Sequence, residues 1–243
     1  MNRNPTLSPS TFRDAATLAP GQAMTVQGTV NKTAVLLLFT IIAAGWTWRM
    51  SSHGHLGGAW ITGSAIGGFI VAMVTTFRKT WAPLTAPIYA VLEGLFLGAV
   101  SCLYERQMPG IVLQAVMLTF GTLAALLAAY SMGLIRVTGR FRNAVIAATG
   151  GIMLFYLASF VLGFFHIQIP GIFGNGALSI GISVVVVIVA ALNLVLDFNL
   201  IETGAQAGAP KFMEWYGGFA LLVTLIWLYL EILRLLTKLR GRN

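Results

Sequence analysis

Seven of the 243 residues are acidic, and three of those fall inside long apolar runs. Glu93 sits in Ala-Val-Leu-Glu-Gly-Leu-Phe-Leu-Gly, Asp197 in Leu-Asn-Leu-Val-Leu-Asp-Phe-Asn-Leu, and Glu231 in Trp-Leu-Tyr-Leu-Glu-Ile-Leu-Arg. A carboxylate within hydrocarbon costs on the order of a few kcal/mol unless it is paired, protonated or hydrated. Two acids converging from separate helices can share a proton or coordinate a hard cation. Asn193 lies one turn before Asp197 on the same helical face, placed to donate to it. A structural reading competes with this chemistry. A buried acid can serve only as a hydrogen-bond acceptor across helices, and Glu231 can pair with Arg234 at i+3.

Other chemistries lack their residues. There is no nucleophile elbow, P-loop, CxxC or HExxH, and no nucleophile and base stand at productive spacing, so an enzyme is not expected. His53, His55 and His166 fall near span ends, where solvation at the interface explains them better than a metal site. Cys102 is the lone cysteine and excludes an internal disulfide.

The elements that must position the acids follow from composition. The chain is 57% hydrophobic and 9% charged, where soluble domains run nearer a quarter charged. Apolar runs long enough to cross ~30 Å of hydrocarbon recur along the chain. We place seven spans at 33–50, 57–77, 83–104, 111–133, 143–165, 177–201 and 215–236. Breakers separate them, among them Arg78-Lys79 before Pro83, Pro109-Gly110, and Pro170-Gly171. Val, Ile and Thr are common, yet spans in lipid must be helical because each backbone group needs an internal partner. The fold class is therefore all-α and polytopic. Residues 1–30 are polar, carry no signal-peptide pattern and read as a disordered tail, with residues 31–243 forming one transmembrane domain. Gly63-x-x-x-Gly67 and Gly94-x-x-x-Gly98 predict close helix packing.

Net charge is +8, but the cations sit in the loops and at the C-terminus, where they set topology or touch anionic lipid; nucleic acid is a poor partner. Arg3, Arg13 and Lys32 in the tail, with Arg78, Lys79, Arg136, Arg140, Arg142 and Lys211 in alternate loops, put the N-terminus in the cytoplasm. The C-terminal cations Arg234, Lys238, Arg240 and Arg242 oppose that count, since seven spans leave them outside.

Residues 191–202, Ala-Leu-Asn-Leu-Val-Leu-Asp-Phe-Asn-Leu-Ile-Glu, followed by 227–236, Trp-Leu-Tyr-Leu-Glu-Ile-Leu-Arg-Leu-Leu, resemble the last two helices of the transmembrane Bax inhibitor motif family, particularly its bacterial branch. Arg78-Lys79 before Pro83, and Tyr89 through Gly98, are similar to its second and third helices. The resemblance covers about residues 30–238. It implies a central last helix wrapped by six others, and a pH-sensitive calcium leak gated by an aspartate on helix six and one on helix seven that share protons. Asp197 matches the first by type and context; Glu231 matches the second by charge. The acid that members place in the second helix is absent here. Glu93, Asn193 and Arg78 are the candidate pore or supporting residues, and Asp197 and Glu231 the candidate calcium ligands.

Spacing constrains the pair. With the spans as placed, Asp197 lies ~6 Å and Glu231 ~24 Å from the inner end. The two meet only if helix six continues to about Thr203 and helix seven begins near Gly217-Gly218, with Ala205–Tyr216 along the interface. The function expected is a pH-sensitive calcium leak of a bacterial inner membrane, monomeric, with lipid and calcium as partners. The alternative is a non-conducting modulator of a membrane protease or stress response, acting by protein contacts.

Overall fold

The computed structural model describes residues 23–52, 58–165, 174 and 176–241. Residues 1–22 of the expected 1–30 tail and all three histidines lie outside them. Seven helices among the described residues are long and apolar enough to span a membrane. They are α1 (Val26–Ser52), α2 (Gly58–Phe77), α3 (Ala82–Gln107), α4 (Ile111–Ser131), α5 (Gly139–Phe164), α6 (Ala177–Gln206) and α7 (Met213–Arg240), with a 3₁₀ turn, η1 (Lys79–Trp81), before α3. The all-α, seven-span reading holds.

Several helices run past the expected limits, for local reasons. Helix α1 takes in the last residues assigned to the tail because Thr25 caps it, its hydroxyl accepting from the Gly28 amide at 2.9 Å. Helix α6 continues to Gln206 and stops where Gly208 adopts φ 65°, with the Ala209 amide returning to the Gly204 carbonyl at 3.0 Å. Helix α7 starts at Met213, four residues before the start that a meeting of Asp197 and Glu231 required, because the Met213 amide already bonds the Pro210 carbonyl.

Many threonine hydroxyls on the spans are satisfied by the preceding turn of chain. Thr29, Thr33, Thr40, Thr47, Thr75, Thr85, Thr119 and Thr237 each donate to the carbonyl four residues back. This back-bonding lets threonine sit in apolar surroundings without an orphan donor.

The chain divides into two compact units, residues 1–102 with 199–222, and residues 103–198 with 223–243. In the first unit α1 and α3 pack closely. A Cβ on Gly94 would strike the Thr40 carbonyl, and one on Gly98 the Ala44 carbonyl, so only glycine allows the approach. Thr40 also lies 3.1 Å from the Ala90 carbonyl across that seam. The Gly63-x-x-x-Gly67 pattern is different: Gly63 faces open space and Gly67 only touches Leu92. The unit is tied at one end by Glu214, 1% exposed, whose Oε1 accepts from the Thr25 amide at 3.0 Å, the Thr25 hydroxyl at 2.9 Å and Lys211 Nζ at 2.7 Å.

In the second unit the α7 C-terminus reaches its neighbours through its cations. Lys238 Nζ donates to Ser183 Oγ at 2.8 Å and the Ser179 carbonyl at 3.3 Å on α6. Arg240 donates to the Pro109 carbonyl at 2.9 Å and Gln114 Oε1 at 3.0 Å. Glu105 caps α4 by accepting from the Gly110 and Val112 amides. The basic C-terminus, which opposed the charge count, is thus partly engaged by the protein itself.

The α1–α3 seam makes a direct prediction. Gly98→Val forces a side chain into backbone and should lower stability by about 1–3 kcal/mol, whereas Gly63→Val has room and should change it little. Thermal unfolding of the two purified variants in one detergent separates these outcomes.

Candidate functional site

Asp197 lies in the long apolar helix α6, nine residues before its end, and is half-buried. Its Oδ2 accepts from the Thr224 hydroxyl of α7 at 2.6 Å. The neighbouring Phe198 stacks at 5.8 Å on Tyr130 of α4. Glu231 is 2% exposed and held differently. Its Oε1 accepts from the Tyr156 hydroxyl of α5 at 3.0 Å and from Arg234 Nη1 at 3.0 Å, and Oε2 lies 3.1 Å from the same nitrogen. Arg234 Nη1 also donates to the Tyr156 oxygen at 2.6 Å, and its guanidinium lies 5.1 Å from that ring's centre.

The structure therefore brings Asp197 to Thr224, and Glu231 to Tyr156 and Arg234, and does not bring the two carboxylates together. Thr224 and Glu231 are two turns apart on α7, which separates the two acid positions by about 10 Å along the helix. Helix α7 starts too early for Glu231 to reach the level of Asp197; Thr224 stands there instead. The i+3 pairing of Glu231 with Arg234 is present.

Asn193 does not turn toward Asp197. Its amide nitrogen is taken by the Thr149 hydroxyl on α5 and the Val189 carbonyl, both at 2.8 Å, because the preceding turn offers a carbonyl in reach. Together these contacts form a polar stripe where α5, α6 and α7 meet within the second unit. It passes from Thr149 and Asn193 through Asp197 and Thr224, and on α7 through Glu231 and Arg234 to Lys238 with Ser183 and Ser179. On α7, Thr224, Glu231 and Lys238 recur every seven residues and so share one helical face. A groove of about 750 Å³ between α5 and α6 has a different character: Ile152, Phe155, Leu178, Ile182 and Val185 are among its lining residues, and no charged side chain enters it.

Glu93 belongs to the first unit. It packs against Gly68 of α2, where an added Cβ would lie 3.0 Å from its Oε1, and hydrogen-bonds to Tyr89 one turn earlier on α3. Tyr89 in turn makes an edge contact with Phe219 at 5.0 Å. Gly94 and Gly98 pack on α1, so they do not line the Glu93 seam. Arg78 is exposed at the N-cap of η1. Among the described residues no three of His, Cys, Asp and Glu gather as a metal cluster.

Sequence reasoning missed Thr224, Tyr156 and Thr149. None carries a charge, and each becomes significant only through a partner on another helix.

The Glu231 seat yields a stability prediction. Arg234→Gln removes the cation and leaves a buried carboxylate with Tyr156 alone, which should cost about 1–3 kcal/mol. Adding Glu231→Gln should recover part of that loss, because the uncompensated charge goes with it. A double-mutant cycle on thermal unfolding measures the coupling; additive effects would show that the ion pair contributes nothing.

No curated protein matches the chain. The sequence matches the Bax inhibitor 1 like family over residues 4–241, nearly its whole length. With seven spans, a carboxylate on α6 bonded across to α7, and a match of that extent, the chain belongs to the Bax inhibitor 1 like family.

Proposed function

We propose that the protein is a passive, proton-regulated cation leak, with calcium as the favoured ion, in a bacterial cytoplasmic membrane. The observation that carries the reading is the Asp197–Thr224 contact between two apolar spanning helices. An intramembrane acid is expensive, and a packing role would be served more cheaply by an apolar pair. Ionised, Asp197 attracts a cation into the stripe; protonated, it is neutral and offers no such attraction. Flux should therefore fall with acidification and rise as the carboxylate ionises. Glu231, clamped by Arg234, is the second acid of the path. Because the two acids hold different partners, we read them as successive stations, one that titrates against a hydroxyl and one released only when Arg234 lets go. Glu93 and Asn193 support this path by holding their helices, and Arg78 marks the cytoplasmic end, where the cations of the alternate loops place the N-terminus.

The test is calcium flux into liposomes of the purified full-length protein across a pH series. Wild type should conduct less at acidic pH. Asp197→Asn should flatten that dependence while the protein still folds, and Glu231→Gln should change the flux level through loss of the Arg234 clamp. Flux absent at every pH favours the non-conducting modulator of a membrane protease. Flux whose pH dependence survives Asp197→Asn returns the acid to a structural role. Cysteine accessibility at loop positions beside Arg78 and Arg140 checks orientation, and labelling there from outside reverses it.

A further inference from the structure

One turn of α7 gathers three lysines and two aromatic rings, and the proposed leak uses none of them. Lys32 of α1 lies over the Trp215 ring, its Nζ 4.7 Å from the centroid. Lys79 of η1 lies over the Tyr216 ring at 5.2 Å. Lys211 precedes the helix and pairs with Glu214 at 2.7 Å. All of these residues belong to the first unit.

The charge does not cancel there. Among the described residues Glu214 is the one carboxylate at this turn, and its Oε1 is already occupied by Lys211 and by the Thr25 amide and hydroxyl. Among the described residues neither Lys32 nor Lys79 has a carboxylate within ion-pair distance. The positive end of the α7 dipole adds to the excess. A topology signal needs cations somewhere in a loop; it does not need them docked on ring faces. An ammonium held over a ring keeps its full charge, and its three N–H donors are not used up by that contact. Tryptophan and tyrosine at the start of a spanning helix sit at the depth of lipid headgroups.

We infer that Lys32 and Lys79, positioned by Trp215 and Tyr216, form a binding site for the phosphate of an anionic phospholipid at this end of the first unit. A phosphodiester supplies the acceptors and the negative charge that the two lysines lack. Its acyl chains run beside apolar helices, so a lipid fits better than a soluble phosphate.

The experiment titrates the full-length protein in detergent with phosphatidylglycerol or phosphatidylcholine and reads lipid adducts by native mass spectrometry. Wild type should bind phosphatidylglycerol more tightly than phosphatidylcholine. Each of Lys32→Gln and Lys79→Gln should weaken phosphatidylglycerol about 5-fold, and the pair about 30-fold, with phosphatidylcholine unchanged. Lys32→Arg with Lys79→Arg keeps charge and should keep the preference, so the site stays testable if the glutamine pair folds poorly. Glycerol phosphate at the same concentration should not displace the lipid. Equal affinity for the two lipids in wild type overturns the site, as does a full preference in the glutamine variants. Displacement by glycerol phosphate overturns the lipid assignment in favour of a soluble phosphate.

Discussion

Hydrocarbon offers no hydrogen bonds, so every polar group on a spanning helix must find its partner inside the protein. This constraint organises the structure. It sends many threonine hydroxyls back to the carbonyl four residues before, and it gives each of the intramembrane acids a named donor. Thr224 serves Asp197, Tyr156 and Arg234 serve Glu231, and Tyr89 serves Glu93. Among the described residues no buried side-chain nitrogen or oxygen is left without a partner. An acid so seated ties its helix to a neighbouring side chain.

The two acids of the last two helices are seated with different chemistry. Asp197 rests on a hydroxyl, that of Thr224. Glu231 faces a guanidinium, and the phenol of Tyr156 is shared between the two. One seat of the stripe thus holds a cation and the other a hydroxyl. Lys238, seated on Ser179 and Ser183, adds a further cation beyond Glu231.

Much of this was legible in the sequence. Apolar runs of spanning length stand out whatever the neighbours are, so all seven spans and the all-α class could be read directly. The three intramembrane acids were visible for the same reason, and the Glu231–Arg234 pair followed from helical spacing alone. What could not be read was the far side of each contact. Thr224 lies 27 residues from Asp197, Tyr156 75 from Glu231, and Thr25 189 from Glu214. No local period links such pairs. Helix ends were the other failure, and a consequential one. The cap at Thr25 and the turn at Gly208 each shift a helix limit by several residues, and in α7 an early start was enough to set Glu231 above the level of Asp197. The small-residue patterns were half informative: Gly94 and Gly98 meet α1 closely, whereas Gly63 meets nothing.

The two compact units interleave along the chain, and this shapes how the protein is made. Residues 199–222, the end of α6 and the first part of α7, complete the unit begun by the first 102 residues, and residues 223–243 complete the other. Helices α1, α2 and α3 thus enter the membrane long before the partners that finish their unit. Thr25 must wait for Glu214, 189 residues later in the chain. Closing contacts of such sequence separation is slow, and incomplete helices expose polar seats meanwhile. Both units take residues from α6 and α7, so neither is complete before that hairpin arrives. A ribosome stalled before that hairpin leaves two unfinished units at once.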